Sequence, residues 1–373
     1  MLLLKNAKII TVDDENITYG DILIDKGKIK RIGPNICEIN AKKIDLKNMI
    51  VIPGLIDIST SIGLIESGVK VEVGSSNEKN QDSISGFKVL DGINFKDEYF
   101  EEALKSGVTT VVVSSGNLNA LGAQSCVIKT GGENLEQRII SSFVDIKATL
   151  GDEPKKSFSR MGVVNTIRES LVKAKEYMEK KTNDQIEFED YNAIYESLIP
   201  VIKGEIPLKI TANRIQDILK AIELKNEFGI SIIINGCAEG YMAIDELYQN
   251  EIPVILESLL GDNSSIENIN RRDDIGNLLC EKGIKTSLST HHPDINIELL
   301  LLSACLMAKN GMEYEDILKS ITINPSHTLS LERRIGSIKV EKDADLVVLD
   351  GDPFKSMTNI IMTIIDGVIV YEK

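Results

Sequence analysis

The fold is decided by the stretch VIPGLID at residues 51–57, because two different sequence patterns meet there. Before it, short apolar runs are joined by turn residues such as DKG at 25–27, which is typical of short strands. After it, apolar runs alternate with amphipathic segments, the pattern of strand-helix units around a parallel sheet. Near the other end the first pattern returns, with a hairpin predicted around DG at 366–367. Both ends are therefore predicted to be β-rich and the middle α/β.

The central region is predicted to alternate strands and helices. Apolar runs predict strands at 109–113, 144–148, 208–211, 231–235, 253–256 and 286–289. Periodic apolar residues predict helices at 214–228, 241–249 and 298–309. The polar segment 66–92 reads as a long loop after one strand. Since loops after such strands are where ligands usually meet the protein, it is a candidate part of a site.

Composition narrows the classes of function. The 373 residues include 42 Lys and Arg against 57 Asp and Glu, a net charge of −15 that repels phosphate backbones and anionic lipid, so neither a nucleic acid nor a membrane is expected as a partner. The five cysteines are never spaced as C-x-x-C, which indicates neither a disulfide framework nor a structural zinc site. The first apolar run stops at Lys5, too early for a signal peptide, so a cytoplasmic location is expected.

Six further motifs, spread along the chain, are informative together with VIPGLID. They are GVTTV at 107–111, LGDEPK at 150–155, THHP at 290–293, INP at 323–325, RIGSI at 334–338 and KDADLVVL at 342–349. Together with VIPGLID they resemble, in order and spacing, the metal-dependent amidohydrolase superfamily and its imidazolonepropionase-like branch. The resemblance implies an α/β fold: a (β/α)8 TIM-like barrel over 51–334 and a small β-sandwich domain formed by 1–50 and 335–373. It also implies a homo-oligomer, which relatives commonly form.

The reaction that this resemblance implies depends on divalent metal ions, which lower the pKa of a bound water and polarise the scissile bond. In the family a His-x-His motif follows the first barrel strand, whereas this chain has STS at 59–61. The fifth-strand histidine corresponds to Thr211 or Asn213, and the sixth-strand histidine falls on Gly236, beside Asn235. Hydroxyl and amide groups do not replace the imidazoles that zinc-class ions require. We therefore predict that the metal site is lost, and we expect no metal and no cofactor.

The same positions predict a polar pocket at the barrel mouth. His291 stands where the family has its catalytic aspartate, and Lys147 matches a lysine that some relatives carbamylate between two metals. The predicted lining is Ser59, Ser61, Lys147, Thr211, Asn213, Asn235 and His291. Such a pocket suits a small polar ligand. The favoured hypothesis is an amidohydrolase-fold pseudoenzyme with a binding or assembly role. Within this hypothesis, a pocket that binds a ligand and a closed pocket whose polar residues hydrogen-bond only to one another are equally supported.

The alternative hypothesis is a hydrolase that acts on non-peptide carbon-nitrogen bonds. One route would use an atypical metal site formed by Asp57, His291 and Lys147. The other would be independent of metal, with Cys237 as nucleophile and His291 as its base, because a thiolate paired with imidazole is an activated nucleophile. Cys237 and His291 are thus the only candidates for catalytic residues.

Overall fold

The structure is a computed structural model that describes residues 1–12, 18–65, 75–79, 81–132, 134–156, 159–183, 185, 188–261, 265–355 and 357–373. Its strands are β1 (Leu2–Ile9), β2 (Thr18–Asp25), β3 (Lys28–Gly33), β4 (Lys42–Asp45), β5 (Ile50–Pro53), β6 (Leu55–Thr60), β7 (Val108–Val113), β8 (Leu121–Lys129), β9 (Ile139–Thr149), β10 (Leu208–Ala212), β11 (Ile232–Gly236), β12 (Val254–Glu257), β13 (Thr286–Ser289), β14 (Leu346–Leu349), β15 (Ile360–Ile365) and β16 (Val368–Glu372).

The α-helices are α1 (Tyr99–Lys105), α2 (Leu135–Arg138), α3 (Asp152–Lys155), α4 (Arg160–Thr182), α5 (Ala193–Ile202), α6 (Ile215–Phe228), α7 (Ile244–Gln249), α8 (Ile275–Glu281), α9 (Leu300–Lys309), α10 (Tyr314–Ser320) and α11 (Ile323–Thr328). Over the part of the chain that the structure describes, none of the helices combines the length and the apolar character that a bilayer crossing requires.

The VIPGLID stretch crosses from one sheet to the other. The described residues form two eight-stranded sheets, one ordered β16-β15-β14-β5-β1-β2-β3 with β4 beside β1, the other ordered β13-β12-β11-β10-β9-β8-β7-β6. β5 ends at Pro53 in the first sheet and β6 begins at Leu55 in the second. Gly54 between them is required by close packing, because a Cβ there would lie 2.1 Å from Thr109 Oγ1. The heptapeptide is therefore the joint between the two halves of the fold.

The second sheet curves into a nearly closed barrel. Ser289 Oγ on β13 lies 2.5 Å from Asp57 Oδ1 and 2.7 Å from the Ser59 carbonyl oxygen on β6. Thr290 also donates to Asp57, from Oγ1 at 2.5 Å and from its backbone N–H at 3.2 Å. The first and last barrel strands are thus fastened by a carboxylate rather than by a backbone ladder.

The barrel departs from strict (β/α)8 alternation at β8. This strand pairs antiparallel with both β7 and β9, while β9 to β13 pair parallel to one another. Antiparallel neighbours need only a short connection, whereas parallel ones need a crossover of about a dozen residues or more. The loop between Val113 and Leu121 is too short for such a crossover, so β7, β8 and β9 form a meander.

Alternate residues of the barrel strands face different cores. On β11, Ile232 and Ile234 join the large apolar cluster beneath the helices, while Ile233 joins a smaller one with Val112 and Ile255. Because side chains alternate along a strand, the second set faces the barrel interior. This apolar layer closes the lower interior, so the polar groups lie nearer the carboxyl ends of the strands.

The sheet built from the two ends of the chain is fastened to the barrel by buried charge. Lys129, the last residue of β8, is fully buried and its Nζ lies 2.9 Å from Asp343, 3.1 Å from Asp345 and 2.5 Å from Asp366. Burial acts to lower the pKa of Lys129, yet the three carboxylates together raise it. This cluster stands at the amino-terminal end of β9, opposite the barrel mouth.

Candidate functional site

A cavity of about 620 Å³ opens at the carboxyl ends of the barrel strands. Its lining consists mostly of hydroxyl, amide and charged groups: Ser59, Thr60, Ser61, Ile65, Ser76, Asn77, Lys79, Ser114, Ser115, Gly116, Asn117, Leu118, Lys147, Glu153, His291, His292, Pro293 and Asp294. A neighbouring cavity of about 470 Å³ shares Ser76, Asn77 and Ser115 with it. Of the predicted ligand loop 66–92, residues 66–74 and 80 lie outside the described residues, while Ser76, Asn77 and Lys79 reach the site.

The structure brings four of the predicted lining residues directly to this cavity: Ser59, Ser61, Lys147 and His291. Thr211 and Asn235 reach it through hydrogen bonds instead. Asn235 Nδ2 donates to Thr211 Oγ1 at 3.1 Å, and Thr211 Oγ1 donates to Asn117 Oδ1 at 3.2 Å. These two residues support the wall and hold one of its amides in place.

The Asn213 side chain lies beside the cavity, next to two glutamates. Its Nδ2 lies 3.4 Å from both Glu257 Oε1 and Glu267 Oε2, and its Oδ1 accepts from the Ala238 backbone N–H. The same Oδ1 lies only 2.2 Å from where a Cβ on Gly236 would stand, and Gly236 has a φ of 98°. The Asn213 amide therefore fills the space into which a side chain at 236 would project.

A buried ion pair lies below the mouth and was missed by the sequence analysis. Lys209 Nζ on β10 is 3.0 Å from Asp145 Oδ2 on β9, and both side chains are almost fully buried. Lys209 also donates to Ser114 Oγ at 2.6 Å, and Ser125 Oγ donates to Asp145 Oδ1 at 2.6 Å. The available signal was the presence of charged residues inside two buried strands, Asp145 and Lys147 on β9 and Lys209 on β10, since such residues are rarely buried without a partner.

Lys147 differs from the other buried lysines. It lies on β9 and is only 4% exposed, yet among the described residues its amine forms neither a hydrogen bond nor an ion pair. Burial and the nearby charge of Lys209 lower the pKa of Lys147 to about 7, against the weaker opposing effects of Asp145, Asp294 and Glu257. Near neutral pH a large fraction of this amine is therefore uncharged.

His291 stands across the cavity. Its φ is 52°, its side chain is 10% exposed, and its Nδ1 lies 3.9 Å from Glu257 Oε1. Within the described part of the chain its buried Nε2 has no hydrogen-bond partner. Burial and Lys147 lower the pKa of His291 to about 3, although Asp294 acts in the opposite direction. The imidazole is therefore neutral at physiological pH and acts as a weak polar contact.

His292 and Asp294 complete this wall. The His292 ring meets Tyr99 edge to face with centroids 4.3 Å apart, and burial lowers the pKa of His292 to about 4. Burial raises the pKa of Asp294, and the repulsion of Glu257 adds to it while His291 opposes it. The wall therefore presents neutral rings and one carboxyl group that gains protons more readily than usual.

Cys237 lies in the apolar core. It is fully buried within the large cluster, and a Cβ on Gly240 would lie 2.4 Å from its Sγ. Burial raises the pKa of Cys237 to about 12, so the thiolate is not available near neutral pH. The structure does not bring this thiol to the cavity wall that holds His291.

Asp57 is likewise engaged elsewhere. Both of its carboxylate oxygens accept hydrogen bonds at the barrel closure, and burial raises its pKa to about 6 despite the donors Ser289 and Thr290. The atypical metal site with His291 and Lys147 would require these bonds to be released.

The donors at the mouth do not fit the divalent ion that the family implies. In the described ranges, no three His, Cys, Asp or Glu side chains are grouped so that they could hold a metal ion. The cavity presents hydroxyls, amides, two amines, neutral imidazoles and the carboxyl groups of Glu153 and Asp294, and the sixth-strand position is filled by the Asn213 amide. These groups suit a neutral polar ligand better, while the loss of the metal site remains a prediction.

Comparison with known proteins agrees with this architecture. Residues 241–370 match the model of the amidohydrolase family. The crystal structure of an amidohydrolase from Thermotoga maritima MSB8 is 33% identical and superimposes with a TM-score of 0.96, with all of both chains covered. The imidazolonepropionase of Fusobacterium nucleatum is 27% identical over 364 residues, which are 89% of this chain and 85% of that protein.

A much longer relative is matched over part of its length. The amidohydrolase tasK of Hapsidospora irregularis is 20% identical over 93% of this chain, which spans 39% of that longer protein. Taken with the full-length similarity to the Thermotoga protein, the matches are decisive. This chain belongs to the amidohydrolase family, and the predicted superfamily and imidazolonepropionase-like branch are confirmed.

Proposed function

We propose that this protein is a binding member of the amidohydrolase family, whose barrel mouth holds a small polar molecule without the family's metal-dependent hydrolysis. One observation carries the proposal: a cavity of about 620 Å³ that lies at the carboxyl ends of the barrel strands and is lined by serine hydroxyls, asparagine amides and a buried amine. This is where barrel proteins bind their ligands, and the volume is in the usual range for small molecules.

A self-satisfied, closed pocket explains the mouth less well. Buried polar groups in folded proteins are nearly always hydrogen-bonded. Among the described residues, the Lys147 amine, His291 Nε2 and both ring nitrogens of His292 line this cavity without such a partner. A bound molecule that offers hydrogen-bond acceptors and donors would satisfy them, which favours binding over a dead pocket.

The alternative, hydrolysis of a non-peptide carbon-nitrogen bond, is compatible with family membership. Its Cys237 route is disfavoured by the buried thiol, whose pKa lies near 12. Its atypical metal route is disfavoured by the hydrogen bonds that already occupy Asp57. A hydrolase that works without either route would need another acid and base, and Lys147, Glu153, His291 and Asp294 line the cavity.

The first test combines metal analysis with ligand binding. Untagged protein purified without chelator is expected to contain less than about a tenth of an equivalent of zinc, manganese, iron or nickel. Glycerol, erythritol, small amino acids and cyclic amides are then screened by thermal shift, and at least one is expected to raise the melting temperature. Stoichiometric metal in the wild-type protein would contradict the proposal and restore the hydrolase alternative.

A matched pair of variants ties the shift to the cavity. Leu118→Trp fills the rim without removing a hydrogen-bonding side chain, so it is expected to abolish the ligand-induced shift. Leu219→Trp changes a 41% exposed residue of α6 on the outer surface and is expected to preserve it. A shift that survives Leu118→Trp would mean that the ligand binds elsewhere.

We further propose, from the family resemblance, that residues 1–50 and 335–373 form a β-sandwich domain and that the protein is a cytoplasmic homo-oligomer. The sheet that unites β1 to β5 with β14 to β16 supports the first of these statements. Light scattering of the purified protein tests the oligomeric state, and a monomeric mass would contradict it.

A further inference from the structure

We propose that Lys147 is a nucleophilic amine that forms a reversible imine with a small hydroxylated aldehyde or ketone bound in the barrel-mouth cavity. The inference rests on the proposed binding function, to which it adds the chemical class of the ligand and the atom that reacts.

The geometry of Lys147 suits a nucleophile rather than a structural cation. The side chain is 4% exposed and lines a cavity that opens to solvent, so a small molecule can reach it. The other three buried lysines are all engaged. Lys209 pairs with Asp145 and Lys129 with three aspartates, and Lys342 donates to Ser337 Oγ at 2.6 Å. Lys147 has no such contact in the described structure, which leaves its nitrogen lone pair available for a ligand.

Burial, together with the charge of Lys209, favours the neutral form of this amine. Lys209 lies on the adjacent strand β10, and its charge disfavours a second ammonium beside it. Asp145, which could have stabilised that ammonium, already pairs with Lys209. Asp294 and Glu257 favour the charged form of Lys147, but their effect is weaker than that of burial and Lys209. The neighbouring His291 is neutral. The pKa of Lys147 is lowered to about 7, so the reactive form is abundant where exposed lysines are protonated.

The reaction balances without a further reagent. The Lys147 Nζ lone pair attacks the carbonyl carbon, the carbonyl π pair moves to oxygen, and a proton passes from nitrogen to that oxygen to give a carbinolamine. A second proton on the oxygen lets it leave as water while the nitrogen lone pair forms the C=N bond. Asp294 lines the same cavity, and its raised pKa suits it to deliver and accept these protons.

The rest of the cavity wall indicates the kind of carbonyl compound. Around Lys147 stand the hydroxyls of Ser59, Ser61, Ser114 and Ser115 and the amides of Asn77 and Asn117, which can each donate and accept hydrogen bonds. Glu153 and Asp294 offset Lys79, so the wall offers no excess of positive charge for a phosphate or carboxylate. A neutral compound with several hydroxyl groups matches this lining.

The experiment traps the imine by reduction. Wild-type protein is incubated near neutral pH with D-glyceraldehyde or dihydroxyacetone and sodium cyanoborohydride, digested, and mapped by mass spectrometry. We expect Lys147 to be modified on the order of tenfold to a hundredfold faster than exposed lysines, because far more of its amine is unprotonated. Lys147→Arg is expected to remove the fast phase, and Lys175→Arg, a change at an exposed position of α4, is expected to leave it unchanged.

Two results would overturn the inference. One is modification of Lys147 at or below the rate of the exposed lysines, and the other is a fast phase that persists in Lys147→Arg. Binding of erythritol, which has no carbonyl group, is measured on the same samples by thermal shift. If erythritol binds while Lys147 is not trapped, the imine is wrong and the binding function stands. If neither erythritol nor the carbonyl compounds bind or react, both proposals fail.

Discussion

Two buried lysines at opposite ends of the barrel show how differently one fold can treat the same charge. Lys129, at the amino-terminal end, is surrounded by Asp343, Asp345 and Asp366, which raise its pKa against the effect of burial. Lys147, at the mouth, forms no ion pair within the part of the chain that the structure describes, and burial together with Lys209 lowers its pKa to about 7. The first lysine stabilises the joint between two sheets, whereas burying the second without a partner costs stability, as the proposed binding site would explain.

The largest expected effect is at the paired lysine. Lys129→Met leaves Asp345 and Asp366 without their cation, while Asp343 keeps its ion pairs with Lys28 and Arg334. We expect the variant to be less stable by about 3–5 kcal/mol, measured by urea unfolding followed by circular dichroism. If that variant does not fold, Asp366→Asn provides the milder test, because the Asp366 side chain is 42% exposed. A Lys129→Met protein within about 1 kcal/mol of the wild type would remove the contrast between the two ends.

Lys147→Met is expected to stabilise the protein, whereas Lys129→Met destabilises it. The folded-state pKa of Lys147, about 7, lies below that of an unfolded lysine, so the folded protein binds fewer protons between these values. Wild-type stability should therefore rise between about pH 7 and pH 10, and the methionine variant should be more stable by on the order of 2–3 kcal/mol below about pH 7. Thermal unfolding at several pH values measures both. Equal or lower stability of the variant near pH 6 would contradict an unpaired, buried amine.

At the barrel closure, the contribution of Asp57 to stability is expected to fall as the pH rises, whereas the contribution of Lys147 rises. Burial raises the pKa of Asp57 to about 6, so the folded state binds more protons than the unfolded one between about pH 4 and pH 6. The contribution of Asp57 to stability is full below that range and is lost as the pH rises through 6. Relative to wild type, Asp57→Asn should gain about 2 kcal/mol between pH 4 and pH 7. A constant difference over that range would show that Asp57 titrates normally.

A smaller effect is expected at Gly236, where the Asn213 amide fills the space that the family's sixth-strand histidine would take. Gly236→Ala places a Cβ 2.2 Å from Asn213 Oδ1 at a φ of 98°, so we expect a loss of about 1–2 kcal/mol. In Asn213→Ala the steric part of that loss should disappear, which a double-mutant cycle measures. Strict additivity of the two changes would mean that the amide can move aside, and that the position could accept a larger side chain.

The smallest effect is expected at Cys237. Exposed Cys37 should react with a thiol reagent such as dithionitrobenzoate, whereas Cys237 should remain unmodified while the protein is folded. Cys237→Ala should leave ligand binding unchanged, and Cys37→Ala should remove the fast reaction. Rapid modification of Cys237 would revive the metal-independent hydrolase.

Much of the barrel could be predicted because alternation and turn chemistry are local. The strands predicted at 208–211 and 286–289 correspond to β10 (Leu208–Ala212) and β13 (Thr286–Ser289), and the helix predicted at 214–228 corresponds to α6. The antiparallel direction of β8 was not predicted, because a run of uncharged residues does not indicate the direction of a strand in the sheet.

The site was harder to predict than the fold. Ser59, Ser61, Lys147 and His291, which were predicted to line a pocket, lie around one cavity, because barrel strands end at a common rim. The similarity to the family indicated these positions but not their contacts. It could not show that Asn213 would turn towards Glu257, nor that Asp145 and Lys209 would pair. Those outcomes depend on distances across the barrel, which spacing along one chain does not encode.

The fastening of the barrel by Asp57 also has a consequence for how the chain folds. Asp57 and Ser289 are 232 residues apart in the sequence, whereas β7, β8 and β9 pair with their immediate neighbours. Contacts between distant residues require a large loop to be closed before they return any stabilisation, and they slow folding. We therefore expect the meander to form early and the hydrogen bonds of Asp57 to form last, so that the barrel mouth becomes complete only when nearly the whole barrel has assembled.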